Sequence, residues 1–178
     1  ATVPGRFEQV PVMPGVCAVI DYAHNAVSME NLLRTVRSYN PRRLVCLFGS
    51  VGGRTQKRRE EMGKIVAELA DFAVITSDNP DFEEPEQIIR DIACWFSEDV
   101  CPFVSIADRR EAIRYTLDHA RPGDMLLFCG KGHEDYQLIR GVKEPFSEKK
   151  IIAQYMKEYN ENKQAEAART VSGKREEL

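Results

Sequence analysis

At 178 residues, with 43% hydrophobic and 30% charged, the chain has the size and balance of one soluble globular domain around a single core. A net charge of −3 gives no electrostatic reason to bind nucleic acid or an anionic membrane, and no apolar run approaches the roughly 18 residues that span a bilayer. The five cysteines (17, 46, 94, 101 and 129) show no C-x-x-C spacing and the first residues show no signal-peptide pattern, which suggests neither a disulfide framework nor a zinc site and predicts a cytoplasmic protein.

Residues 2–14 contain three prolines and read as a linker, assigned here as 1–14. Strand-like runs and helix-like segments then alternate. VCAVID (16–21) is a first strand, followed by a helix over 28–39 with Leu32, Leu33 and Val36 on one face. LVCLF (44–48) is a second strand, then a Gly-rich turn and a helix over 57–69. FAVIT (72–76) is a third, and Pro85 suits the first turn of a helix through Trp95. A short strand at 103–106 precedes a helix over 109–119, and MLLFC (125–129) is the fifth strand. Residues 137–140 read as a final strand, antiparallel at the sheet edge, before a helix at 147–159. Fully apolar strands between amphipathic helices predict an α/β fold: a Rossmann-like three-layer sandwich, with a mostly parallel sheet of about six strands covered on both faces. The main domain is 15–160. The polar stretch 161–178 reads as a tail, with frayed helix or disorder expected from residue 160 onward.

Ligands of open α/β sheets bind beyond the carboxyl ends of the strands, and four such ends carry unusual residues. Asp21-Tyr22-Ala23-His24-Asn25 follows the first strand. Its carboxylate suits ribose hydroxyls and its imidazole and amide suit phosphate, although Asp21 or Asn25 equally suits a helix cap. Gly49-Ser50-Val51-Gly52-Gly53-Arg54 follows the second and invites a phosphate or carboxylate, yet matches neither nucleotide-binding glycine motif. Arg54 can grip a carboxylate bidentately, while Lys57-Arg58-Arg59 reads as a solvated helix face. Asp78 and Asn79 suit an amino acid's amine and carboxylate, or an Asx-turn before Pro80. Gly130-Lys131-Gly132-His133-Glu134-Asp135-Tyr136 combines two turn glycines with four ionisable groups, as a binding loop or a charged surface turn.

Taken in order, Val3-Pro4-Gly5-Arg6-Phe7-Glu8, Asp21-Tyr22-Ala23-His24, Met62-Gly63, Asp78-Asn79-Pro80, Gly130 to Tyr136 and Phe146-Ser147 resemble the C-terminal domain of the Mur ligases. The resemblance is nearest to the tripeptide synthetases, which add the third residue of the peptidoglycan stem peptide. It implies a reaction in which ATP, with Mg2+, phosphorylates the D-glutamyl carboxylate of UDP-MurNAc-L-Ala-D-Glu and an incoming amine attacks the acyl phosphate. It also implies that Arg6, Asp21, His24 and Asn25 lie on the nucleotide side. Arg54, Asp78, Asn79, Asp81, Gly130 and Glu134 would hold the amino acid, Arg54 through its carboxylate and Glu134 through its ammonium group. No protein metal ligands are implied.

Two residues depart from the family pattern. Members that add meso-diaminopimelate carry Arg after Asp-Asn-Pro, where this chain has Asp81, an acid that would repel a distal carboxylate and favour lysine, ornithine or another amine. Ala26 stands where the family has proline or threonine-proline, which only loosens a helix entry. The family's P-loop and UDP-binding domains are not in these residues, so the expectation is one domain of a larger ligase, without ligase activity alone. The alternatives are a related glutamate ligase of the folylpolyglutamate or cyanophycin synthetase type, and a non-catalytic module that binds an amino acid or nucleotide.

Overall fold

The computed structural model describes residues 3–176. Its order is β1 (Glu8–Val10), β2 (Cys17–Asp21), α1 (Ala26–Arg37), β3 (Arg43–Phe48), α2 (Gln56–Leu69), β4 (Phe72–Ile75), α3 (Pro85–Ala93), β5 (Phe103–Ser105), α4 (Arg109–Asp118), β6 (Asp124–Cys129), β7 (Tyr136–Ile139), β8 (Val142–Pro145) and α5 (Glu148–Glu176). Strands β1-β2-β6-β3-β4-β5 form one sheet in that order, parallel except for β1.

The two central strands, β3 and β6, are buried on both faces, which is why their sequences are unbroken apolar runs. Alternate residues divide between two cores. Leu44, Cys46, Phe48, Leu127 and Cys129 pack beneath α1, α2 and α3. Val45, Leu47, Leu126 and Phe128 pack beneath α4 and α5, against Ile113, Leu117, Ile151, Ile152 and Tyr155. This is the three-layer sandwich that the alternating pattern predicts. Local chemistry starts the helices: Asn25 and Ser28 form a capping box on α1, Thr55 and Asp108 cap α2 and α4, and Pro85 occupies the first turn of α3.

Three expectations are corrected. The 1–14 segment is not only a linker, because Glu8–Val10 pairs antiparallel with β2 in the register Glu8↔Ile20 and buries Val10. A three-residue strand among prolines has too few alternations to show in sequence. The strand at 137–140 does not join the sheet edge, which β1 and β5 occupy. It is β7, paired with β8 through a two-residue turn in which Arg140 (φ +48°) and Gly141 (φ +78°) are both left-handed, the geometry that matches strand twist in a hairpin. Finally, α5 continues through the polar stretch to Glu176 instead of fraying after residue 159. Glu, Lys, Gln and Ala are strong helix formers even without an apolar face, and Lys163 lies 3.6 Å from Glu166 one turn on. Residues 177 and 178 of that tail, like Ala1 and Thr2 of the linker, lie outside the described residues. No helix of the described residues is long and apolar enough to cross a membrane.

Candidate functional site

Strands β2, β3, β4 and β6 run parallel, so their carboxyl ends open on one edge, and a cavity of about 400 Å³ lies there. One wall is acidic, with Asp78, Asn79 and Asp81 from the β4 loop and Gly130 and Glu134 from the β6 loop. Arg54 and Arg58 stand in the same cavity, beside Tyr22 and His24 from the β2 loop.

Lys131 organises the acidic wall. Its ammonium is fully buried and donates to Asn79 Oδ1 (2.8 Å) and Glu134 Oε2 (2.9 Å), with Asp78 Oδ1 3.8 Å away. Asn79 Nδ2 (3.1 Å) and the Tyr22 hydroxyl (3.3 Å) also donate to Glu134. Burial alone would raise the Glu134 carboxyl, but these donors, Lys131 above all, hold it below its ordinary value of 4.5. Burial and the Glu134 charge push the Tyr22 hydroxyl up, which keeps it a donor. Two carboxylates against one ammonium leave a net negative wall, suited to a ligand's ammonium group.

The loops that carry this wall are tied from behind. Arg109, fully buried, donates to the carbonyls of Ser77 (2.9 Å) and Cys129 (2.7 Å), the residues just before Asp78 and Gly130. Its charge is met by Glu148 Oε1 at 3.0 and 2.7 Å. Gln137 Nε2 donates to the Asp78 carbonyl (2.7 Å), and the Leu138 N–H donates to Asn79 Oδ1 (3.0 Å). The glycine loop after β3 is held by the β4 loop: the Gly52 N–H donates to the Asn79 carbonyl (2.8 Å), and a Cβ on Gly52 would lie 1.9 Å from the Pro80 carbonyl oxygen. Close backbone approach therefore explains this glycine without a phosphate.

Of the residues expected at the site, His24, Arg54, Asp78, Asn79, Asp81, Gly130 and Glu134 line the one cavity, and Arg6, Asp21 and Asn25 do not. Asp21 binds the chain's own backbone, accepting from Phe7 N and Ala23 N at 2.7 Å each. Asn25 Oδ1 accepts from the Ser28 N–H (2.9 Å), which is the helix-cap alternative. The Arg6 side chain is exposed. His24 Nδ1 lies 2.7 Å from the Tyr22 carbonyl. A carbonyl only accepts, so the neutral ring carries its proton there and presents Nε2 as an acceptor.

The basic run is also corrected. Only Lys57 behaves as a solvated residue; Arg59 is buried between Glu83 (2.6 Å) and Asp91 (2.8 Å), and Arg58 lines the cavity. Sequence reasoning missed Arg58, Lys131 and the Arg109–Glu148 pair. Lys131 stood inside the singled-out loop, and Arg109 and Glu148 are the first residues of α4 and α5.

Asp81 holds the hairpin. It sits at φ +53°, its N–H donates to the Leu138 carbonyl (2.9 Å), its carbonyl accepts from Arg140 N (2.8 Å), and its Oδ1 accepts from Gly141 N (2.7 Å). Asp and Asn tolerate this backbone region and offer that acceptor. Asp81→Asn is therefore expected to keep the hairpin protected, whereas Asp81→Ala should lose about 1–2 kcal/mol and raise amide exchange at Arg140 and Gly141. Equal exchange in the two variants would show that Oδ1 does not hold the turn.

The architecture and the cavity's placement define the class: an open three-layer α/β domain with its site at the carboxyl edge of a parallel sheet. The family model described as "Mur ligase, glutamate ligase domain" matches residues 5–132, and the chain belongs to that family. Among curated relatives, the UDP-N-acetylmuramoyl-L-alanyl-D-glutamate–2,6-diaminopimelate ligase of Synechocystis sp. is 46% identical over 83% of this chain and 29% of its own length. The ligase of that name from Aquifex aeolicus is 45% identical over 86% of this chain and 32% of its own. The chain thus spans about a third of the length of these relatives. A solved ligase of the same name superposes with a TM-score of 0.83 at 31% identity, covering 90% of this chain and 33% of that one. A bifunctional folylpolyglutamate synthase/dihydrofolate synthase from Yersinia pestis (22% identity, TM-score 0.56, 75% of this chain and 30% of that one) shares the fold alone.

Proposed function

We propose that this chain is the amino-acid-receiving domain of a larger ATP-dependent amide ligase acting on UDP-MurNAc-L-Ala-D-Glu. The observation that carries the reading is one cavity with the Glu134 carboxylate, held below its ordinary value, beside Asp78 on one wall and the Arg54 guanidinium in the same space, a set of groups complementary to a free amino acid. The α-ammonium would sit on Glu134 and Asp78, with its carboxylate on Arg54. Held there, the amino group is positioned for attack once its ammonium has given up a proton to water, and a rigid site contributes to rate mainly by orientation. Asp81 adds negative charge at the cavity margin and favours a side-chain ammonium, so the substrate proposed is a diamino acid, lysine or ornithine before diaminopimelate.

ATP would supply the acyl-phosphate leaving group. Asp21 fits ribose hydroxyls, because each of its oxygens accepts one backbone N–H and a carboxylate oxygen accepts more than one hydrogen bond. Arg6, exposed, is placed to approach phosphate when a nucleotide-bearing domain closes on this face, and His24 Nε2 could meet a phosphate oxygen only in the protonated imidazolium, where both ring nitrogens donate. Mg2+ meets no group of three or more His, Cys, Asp or Glu donors among the described residues, and no step is assigned to it.

Two results are expected. A coupled ADP-release assay on these 178 residues alone should show no turnover, because no P-loop motif is present in them. Binding of L-lysine should hold constant from neutral pH down to about 4.5 and weaken below it. The sign follows from Glu134: its folded pKa is depressed below 4.5, so its stabilising charge is present above that value and lost as pH falls through the folded one. Lysine binding that strengthens on acidification contradicts the assignment.

A further inference from the structure

Arg58 is not among the residues that the resemblance implies, yet its surroundings set it apart. It is the middle of three consecutive cations, between Lys57 and Arg59, in the opening turn of α2 after Gln56, and that turn holds no acidic residue. The amino end of a helix carries partial positive charge, so cations there are disfavoured unless an anion offsets them. Arg59 has Glu83 and Asp91, and Lys57 has Glu61 at 3.8 Å. Arg58 forms no ion pair among the described residues. Its NH2 group donates to the His24 carbonyl at 2.6 Å, and its Nε is buried without a partner. The side chain lines the cavity that holds Arg54 and Glu134. A half-buried guanidinium with an unmet donor, at the unfavourable end of a helix, is a site whose anion arrives with the ligand.

We propose that Arg58 is a second oxyanion anchor of this site, joining the β2 loop to the amino-acid cavity. Two ligands offer that oxyanion: the α-carboxylate of the incoming amino acid, shared with Arg54, or a phosphoryl group brought to His24. The first source rests on the function proposed above and the second does not.

The test is calorimetric titration of the whole 178-residue chain and its Arg58→Gln and Arg58→Lys variants with L-lysine, L-lysinamide and inorganic phosphate. If the α-carboxylate is the source, Arg58→Gln weakens lysine binding about 10- to 100-fold, the loss expected of a charge-assisted hydrogen bond, Arg58→Lys restores part of it, and lysinamide is insensitive. If phosphate is the source, the same pattern appears with phosphate and lysine is unaffected. In either case the unfolding temperature of Arg58→Gln should change little, because losing the bond to the His24 carbonyl is offset by removing an uncompensated cation from the amino end of α2. Unchanged affinity for both lysine and phosphate overturns the proposal, and so does a loss of affinity matched by a fall in unfolding temperature. A wild-type chain that binds phosphate through Arg58 but no amino acid keeps this anchor and sinks the amino-acid reading.

Discussion

Glu148→Leu is expected to lower folding stability by about 3–5 kcal/mol, a large share of the 5–15 kcal/mol typical of a domain. The substitution leaves the Arg109 guanidinium fully buried without its contacting ion-pair partner. The double variant Arg109→Met, Glu148→Leu removes both charges, and replacing a buried pair with apolar groups is often neutral. Here recovery should be incomplete. Arg109 also satisfies the Ser77 and Cys129 carbonyls, and each buried carbonyl left without a donor costs about 1–3 kcal/mol. Urea denaturation of the three proteins checks the ordering: wild type most stable, the double variant between, Glu148→Leu least. A double variant as stable as wild type would show that Arg109 does not hold the ends of β4 and β6.

The second large effect falls on the site itself. Gly130 has φ +109°, a region side chains rarely adopt, and a Cβ there would lie 2.6 Å from Asp78 Oδ2. Gly130→Ala should therefore cost about 1–3 kcal/mol of backbone strain and push the Asp78 carboxylate out of register with Glu134. Lysine affinity is expected to fall more than about tenfold, and further than in a variant with equal destabilisation elsewhere. Unchanged affinity in Gly130→Ala would separate Asp78 from the binding wall.

The sheet was legible where burial leaves an unmistakable mark. LVCLF and MLLFC become β3 and β6 because both their faces are covered, and the helices between them show their apolar stripes. What escaped depends on pairing between distant residues. β1 exists because Glu8–Val10 meets β2, and β7 leaves the sheet because a left-handed Arg140-Gly141 turn folds it onto β8. The site divides in the same way. Local loops at strand ends announced Asp78, Gly130 and Glu134, whereas the partners of Lys131 lie up to 53 residues away at Asp78 and 52 at Asn79. Asp21 and Asn25 stand out in the sequence, and in the structure their side chains bind the chain's own backbone, at Phe7 and Ala23 for Asp21 and at Ser28 for Asn25.

The amino-acid reading turns on one contact, the ligand ammonium on Glu134. Calorimetric titration of the chain and its Glu134→Gln variant with L-lysine and Nα-acetyl-L-lysine measures that contact directly. The account predicts that acetylation and Glu134→Gln each weaken binding by about 10- to 100-fold, and that the second change adds little once the first is made. Full additivity of the two losses, or lysine binding equally tight to both proteins, would contradict it.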